Sequence, residues 1–246
     1  MNTSRTMVAP ARAGMSAERK AAVWIGVLYI IGTVGLVLSM IVTGPVFAGP
    51  AVLAQVAAQP NQVAIGAVLV LVAGVSLAMV PVVFWPIGKR YNETLAMGCV
   101  VFRGGQEMVV YIATALGWLV LIALSAEPDA GPLAGLVRTA EAVAWDQLVA
   151  IPFAVGALMF YTLLYRARLV PRWLSAWGLA GAALYIVPPL TSMFGLSVGF
   201  LMAPLALQEM VMAVWLIAKG FNQTAVADEP VGETPRWQAA ASGSVG

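Results

Sequence analysis

Six long runs of apolar residues constrain this chain more than any other feature of its sequence. They cover residues 22–43, 63–87, 94–124, 140–164, 174–194 and 197–218. Each is long enough for an α-helix to cross the hydrocarbon core of a bilayer, which takes about 20 residues. Because backbone groups in lipid must be hydrogen-bonded internally, the runs predict helices and exclude open sheets. The sequence therefore predicts an all-α, polytopic integral membrane bundle of about six transmembrane helices.

The composition agrees with that fold and excludes several classes of function. Hydrophobic residues make up 61% of the chain and charged residues 10%, whereas soluble domains are about a quarter charged. Basic residues are dispersed between the runs, which argues against a nucleic-acid-binding surface. The chain has no histidine and one cysteine, which excludes imidazole metal sites, Ser–His and Cys–His dyads and an intrachain disulfide. With no P-loop or dinucleotide-binding fingerprint either, we predict no catalytic residue, no metal and no cofactor.

The basic residues between the runs predict the orientation of the bundle. They concentrate on one side of the predicted membrane, whereas the segments on the other side contain only Arg138. Cytoplasmic loops carry the excess of lysine and arginine, so we predict a multi-pass protein of the inner (cytoplasmic) membrane with both termini in the cytoplasm. The basic residues on that side are Arg5, Arg12, Arg19, Lys20, Lys89, Arg90, Arg166, Arg168, Arg172 and Lys219.

The segments outside the runs are short and polar or rich in small residues. Residues 1–20 and 223–246 are predicted to be disordered cytoplasmic tails on either side of a six-helix transmembrane domain at 21–222. Two alanine- and leucine-rich connections, 50–59 and 132–139, are bounded by proline or glycine. They are predicted to form short helices at the membrane surface.

Ionisable residues inside the apolar runs are the most informative feature for function. Arg103 and Glu107 are four residues apart, so they share a helix face that Tyr111 extends, and Gln106 lies beside them. At 1.5 Å per residue, Arg103 and Glu209 lie roughly 13 and 15 Å from the cytoplasmic surface, near the middle of a core about 30 Å thick. We therefore expect these charges to turn into the bundle and to pair there.

One guanidinium and two carboxylates leave a charge imbalance that has two interpretations. If Arg103 neutralises either Glu107 or Glu209, desolvation favours a proton on the other carboxylate. The group would then form a ligand- or proton-binding site with Gln106 and Tyr111. Alternatively, Arg103 bridges both carboxylates by bidentate hydrogen bonds and fixes helix packing. The sequence leaves open which carboxylate pairs with Arg103.

A second basic cluster, Arg166, Arg168 and Arg172, joins the fourth and fifth runs. Its first interpretation is a topology signal, and its second is contact with anionic lipid headgroups. The expected partners are therefore membrane lipids and a small-molecule ligand at the embedded charges, with no nucleic acid. The sequence does not indicate an oligomeric state.

Three stretches of the chain resemble a known family. They are Tyr91-Asn92-Glu93-Thr94-Leu95-Ala96 with Phe102-Arg103, residues 165–174 (YRARLVPRWL), and Leu207-Gln208-Glu209-Met210 followed by residues 215–221 (WLIAKGF). In order and spacing, over about residues 21–222, they resemble the bacterial membrane family called domain of unknown function 4386. This resemblance implies a six-helix integral membrane protein without an assigned activity, and it implies no catalytic residue.

Three functional hypotheses follow. The first is a small-solute or proton-linked transporter, or a ligand-binding membrane protein, with Arg103, Glu107 and Glu209 as an interior anion or proton site. The second is a non-catalytic membrane partner or accessory subunit whose embedded charges are structural. The third is a membrane enzyme that uses the carboxylates for acid–base chemistry. Because no nucleophile or cofactor motif accompanies the carboxylates, we favour a non-enzymatic function.

Overall fold

The computed structural model describes residues 15–222, which form helices and contain no strand within that range. Seven helical segments follow one another there, and all but the second are long and apolar enough to cross a membrane. They are α1 (Ala17–Phe47), α2 (Val52–Ala58), α3 (Pro60–Gly88), α4 (Glu93–Leu124), α5 (Gly131–Arg166), α6 (Arg172–Ser192) and α7 (Gly199–Ala218). This confirms the all-α, six-span membrane fold. Of the predicted tails, the structure describes only residues 15–20, and Ala17 to Lys20 of these already belong to α1.

Residues with suitable local chemistry set the helix ends. Ser16 caps α1, where its Oγ accepts a hydrogen bond from the Arg19 backbone N–H at 3.2 Å. Asn92 caps α4, where its Oδ1 accepts one from the Leu95 backbone N–H at 2.8 Å. Gly220 follows α7 with a φ of 75°, a left-handed conformation that glycine adopts without strain. These short-range signals define where the membrane helices begin and end.

The six long helices form a closed ring in chain order. Each packs on the next along the chain, omitting the short α2, and α7 returns to pack on α1. At the junction of α1 and α7, the Arg19 guanidinium donates to the carbonyl oxygens of Leu216 and Ile217 at 2.8 and 2.5 Å. The start of α1 and the end of α7 therefore lie on the same side of the bundle, as an even number of spans requires.

The connection at 132–139 differs from its prediction. No separate surface helix forms there, because α5 begins at Gly131 and continues into the fourth span. Pro132 lies in the first turn of α5. Backbone N–H groups in a first turn have no partner within the helix, so a proline there costs no hydrogen bond. One turn further, Arg138 Nη1 lies 2.6 Å from Glu141 Oε2. At 50–59, by contrast, a separate short helix forms, as predicted: this is α2.

Two of the long helices contain a π-helical turn, Cys99–Gly105 in α4 and Ala144–Val149 in α5. A π turn fits an extra residue into one turn of helix and so rotates the side chains on either side of it. Such turns are rare in proteins, and those that occur often lie at functional sites. Arg103 lies in the first and Asp146 in the second, so each turn carries a charged residue.

Candidate functional site

The Arg103 guanidinium is the centre of a polar cluster inside the ring. Its side chain is 1% exposed, and Nη2 lies 2.6 Å from Oε1 of Glu209. The Tyr161 hydroxyl donates a longer hydrogen bond to the same oxygen, at 3.4 Å. The ion pair thus joins α4 to α7, and Tyr161 adds α5. The sequence left open which carboxylate pairs with Arg103, and the structure shows that it is Glu209 and not Glu107.

Aromatic rings surround the rest of the guanidinium. Its central carbon lies 4.8 Å from the ring centroid of Phe153, 5.3 Å from that of Tyr29 and 5.9 Å from that of Phe160. A cation over an aromatic face is attracted by the ring quadrupole, most strongly away from water. Nε and Nη1 of Arg103 have no hydrogen-bond partner among the described residues. Ring contacts therefore replace most of the hydration of this charge.

Arg103 reaches this position because α5 passes very close to its backbone. A Cβ atom added to Gly156 would lie 2.7 Å from the Arg103 nitrogen and 2.9 Å from the Arg103 Cβ. On the other side of the π turn, a Cβ on Gly104 would lie 3.0 Å from Cγ of Pro81 in α3. The turn that carries Arg103 therefore packs closely between α3 and α5. This close approach is possible because Gly104 and Gly156 have no side chain.

Glu107 has a different environment from Glu209. It is 4% exposed, and within residues 15–222 its carboxylate has neither an ion-pair partner nor a hydrogen-bond donor. The predicted helix face is buried, since Cys99, Arg103, Glu107 and Tyr111 are all 4% exposed or less. Arg103 nevertheless does not bridge the two carboxylates.

Glu107 and Glu209 line an interior cavity of about 320 Å³. This volume is at the lower end of the range for small-molecule sites, about 300–1,000 Å³. Asp146, from the π turn of α5, adds a third acidic side chain to the wall, and Gln106 adds an amide. No lysine or arginine is among the lining residues, and Arg103 lies behind the wall. The cavity is therefore acidic.

Four aromatic side chains form much of the remaining wall: Tyr111, Trp145, Phe153 and Tyr185. The rings of Tyr111 and Trp145 meet edge to face, with centroids 5.4 Å apart. Those of Phe153 and Tyr185 lie 4.9 Å apart. Trp145 Nε1 also donates to Thr114 Oγ1 at 2.9 Å. These contacts fix the rings in the wall of the cavity that the acidic groups also line.

The structure therefore brings Gln106, Glu107, Tyr111 and Glu209 to one cavity, with Arg103 directly behind it. Sequence reasoning missed four of the lining residues, Trp145, Asp146, Phe153 and Tyr185. Asp146 is exposed, but its position in the fourth apolar run was a signal that could have placed it near the other charges. The aromatic residues gave no such signal, because tryptophan and tyrosine are also enriched where membrane helices meet the membrane–water interface.

Arg168 and Arg172, two of the three residues predicted to contact lipid headgroups, line a second cavity of about 400 Å³ with Trp215 and Lys219. Arg168 has a φ of 52°, and its carbonyl accepts a hydrogen bond from Asn222 Nδ2 at 3.4 Å. Arg166 is exposed and is not among the lining residues. The fold therefore adds Lys219 to the basic cluster and leaves Arg166 outside it.

Comparison with known proteins gives one match. A family model described as Domain of unknown function (DUF4386) matches residues 24–220, a range that includes the interior cluster and both cavities almost completely. No curated protein and no solved structure matches the chain.

Proposed function

The chain belongs to the family of domain of unknown function DUF4386, and on that premise we propose a multi-pass membrane protein that binds a small solute in exchange for a proton. The observation that carries this proposal is the Glu107 carboxylate. It is 4% exposed, lines a cavity of about 320 Å³ and has no ion-pair partner among the described residues. Glu209, by contrast, already has the Arg103 guanidinium at 2.6 Å.

Charge balance in the bundle interior gives the proposal its mechanism. An uncompensated charge inside a membrane bundle costs several kcal/mol, so Glu107 needs either a proton or a cationic ligand. The Arg103–Glu209 pair is neutral as a unit and does not supply that compensation. The anion alternative has less support, because no basic side chain lines the cavity within the described chain. The other ionisable groups around Glu107 are Tyr29, Arg103, Tyr111, Asp146, Tyr161, Tyr185 and Glu209.

A purely structural role explains part of the cluster. The Arg103–Glu209 pair joins α4 to α7, as the hypothesis of a non-catalytic membrane partner expects. Glu107 joins no helix to another through a hydrogen bond or an ion pair in the described residues. A buried carboxylate that stabilises no contact is unfavourable for packing alone, so Glu107 supports the binding function over the structural one.

Glu107→Gln is expected to remove a protonated carboxyl group from the interior. Infrared difference spectra of the purified protein, recorded between acidic and alkaline buffer, should show the C=O stretch of a protonated carboxyl that the variant lacks. Glu127→Gln is the matched control, because Glu127 lies exposed in the connection between α4 and α5. An identical carboxyl band in wild-type protein and Glu107→Gln would contradict proton binding at Glu107.

We propose that the basic end of the bundle is cytoplasmic and that the protein resides in the inner membrane. Two observations support this orientation. The start of α1 and the end of α7 lie together there, and the positive-inside rule assigns a side rich in lysine and arginine to the cytoplasm. The cavity lined by Arg168, Arg172 and Lys219 would then face the anionic leaflet, where it suits a phosphate headgroup.

Lys219→Gln is expected to weaken retention of anionic lipid about fivefold, since one basic residue near an anionic surface contributes about 1 kcal/mol. Native mass spectrometry after exchange into micelles containing phosphatidylglycerol measures the retained lipid. Lys20→Gln is the control, because Lys20 is exposed at the same end and lies outside this cavity. Equal loss in both variants would indicate general surface charge and not a headgroup site.

A further inference from the structure

We infer that the solute of the interior cavity is a small organic cation, an amine or quaternary ammonium with an apolar body, and that Glu107 is its counter-ion. This inference rests on the proposed function and names the class of solute. It follows from the composition of the cavity wall: unpaired acidic charge, aromatic rings, and an opening toward the membrane.

The charge of the wall selects a cation. The lining residues include Glu107, Asp146 and Glu209 and no lysine or arginine. The nearest described cation, Arg103, is bound to Glu209 at 2.6 Å and lies behind the wall. Of Glu107 and Glu209, only Glu107 is therefore left for a ligand. A cation that binds there takes the place of the carboxyl proton, which leaves to water, and the interior charge stays balanced.

The aromatic wall selects an organic cation over a metal ion. Hard metal ions need several oxygen ligands at short range, and no group of three or more metal-ligating side chains occurs within residues 15–222. Tyr111, Trp145, Phe153 and Tyr185 instead present rings to the cavity. Aromatic side chains that line a site attract quaternary ammonium groups through cation–π contacts. The same bundle already holds the Arg103 charge among rings in this way.

The position of the opening indicates a solute with an apolar body. Val37 of α1 and Ala206 of α7 both line the cavity, yet Val37 is 48% exposed and Ala206 is also exposed. Exposed apolar side chains on membrane-spanning helices face lipid. The cavity therefore reaches the lipid-facing surface between α1 and α7, the two helices that close the ring. A solute that partitions into the bilayer can enter by this route.

The test uses benzyltrimethylammonium and neopentylbenzene, which differ only in having nitrogen or carbon at the branched centre. Binding of tritiated benzyltrimethylammonium to the full chain in nanodiscs is measured by scintillation proximity, with either compound as competitor. We expect saturable binding for which the neutral compound competes at least about tenfold more weakly. Glu107→Gln should weaken binding at least about tenfold, and Glu127→Gln should leave it unchanged. Should Glu107→Gln fail to fold, Tyr185→Leu removes one ring without changing charge and should weaken binding about fivefold.

The outcomes separate the solute class from the proposed function. Three results would each overturn the assignment of the solute as an organic cation with Glu107 as counter-ion. They are absence of saturable binding, equal competition by neopentylbenzene, and full binding by Glu107→Gln. If the infrared carboxyl band still depends on Glu107 in that case, proton-linked binding stands and only the solute class falls. Loss of the band as well would end both proposals. Release of one proton per cation bound, measured with an indicator in weak buffer and absent in Glu107→Gln, would support both.

Discussion

Arg103→Met is expected to destabilise the folded bundle by about 3–5 kcal/mol, the usual cost of removing one partner from a buried ion pair. The cost comes from Glu209, whose carboxylate would lose the guanidinium 2.6 Å away and keep only the Tyr161 hydroxyl at 3.4 Å. Methionine retains much of the packing volume, so the charge is the main change. Equilibrium unfolding in mixed micelles of a denaturing detergent, followed by circular dichroism, measures the difference.

Two further variants show whether charge is the cause. The double variant Arg103→Met, Glu209→Leu removes both charges and should recover most of the lost stability, because apolar replacement of a whole buried pair is often neutral. Arg138→Met is the matched single control, since its side chain is 35% exposed in the pair with Glu141 and such pairs contribute less than about 1 kcal/mol. A double variant as unstable as Arg103→Met would show that Arg103 acts by shape and ring contacts.

The sequence was sufficient to predict the six spans because the bilayer imposes a local constraint on each of them. A helix in lipid needs a continuous apolar run whatever its neighbours are, so each predicted run matches one long helix to within two residues at the ends of α6 and α7. The error at 132–139 has the same origin. A proline followed by alanine and leucine begins a helix equally well at the surface and at the start of a span. Only the unbroken continuation of α5 from this segment into the fourth span distinguishes the two.

The charged residues of the candidate site could be predicted from the sequence, but the ion pair that forms among them could not. Arg103, Glu107 and Glu209 were identifiable because ionisable residues are rare in apolar runs. The choice of Glu209 as partner depends on the closing of the ring, which brings Glu209 of α7 across the interior to Arg103 of α4, and no local pattern encodes this. The aromatic wall likewise comes from α4, α5 and α6 together. Its residues become recognisable only when these helices are side by side.

The π turn at Cys99–Gly105 accounts for the different surroundings of Arg103 and Glu107. In a regular α-helix, side chains four residues apart lie one above the other, which is why bridging of both carboxylates was a reasonable alternative. The extra residue in the turn rotates Arg103 relative to Glu107. Arg103 then contacts α5 and α7, and Glu107 lines the cavity. One local change in helix geometry thereby separates a structural charge from one that is available to a ligand.

Gly156→Ala is expected to destabilise the bundle by about 1–3 kcal/mol, the typical cost of overpacking a close contact. The added Cβ would lie 2.7 Å from the Arg103 nitrogen and 3.0 Å from the Phe102 carbonyl carbon, and backbone atoms cannot move aside as a flexible side chain can.

Gly135→Ala on the same helix is the control, because a Cβ there meets nothing within 4 Å. It should stabilise by roughly 0.5–1 kcal/mol through helix propensity alone. Opposite signs in detergent unfolding would establish the contact between α5 and the π turn, and equal signs would contradict it. Since displacement of Arg103 also disturbs its pair with Glu209, Gly156→Ala should weaken benzyltrimethylammonium binding, whereas Gly135→Ala should not.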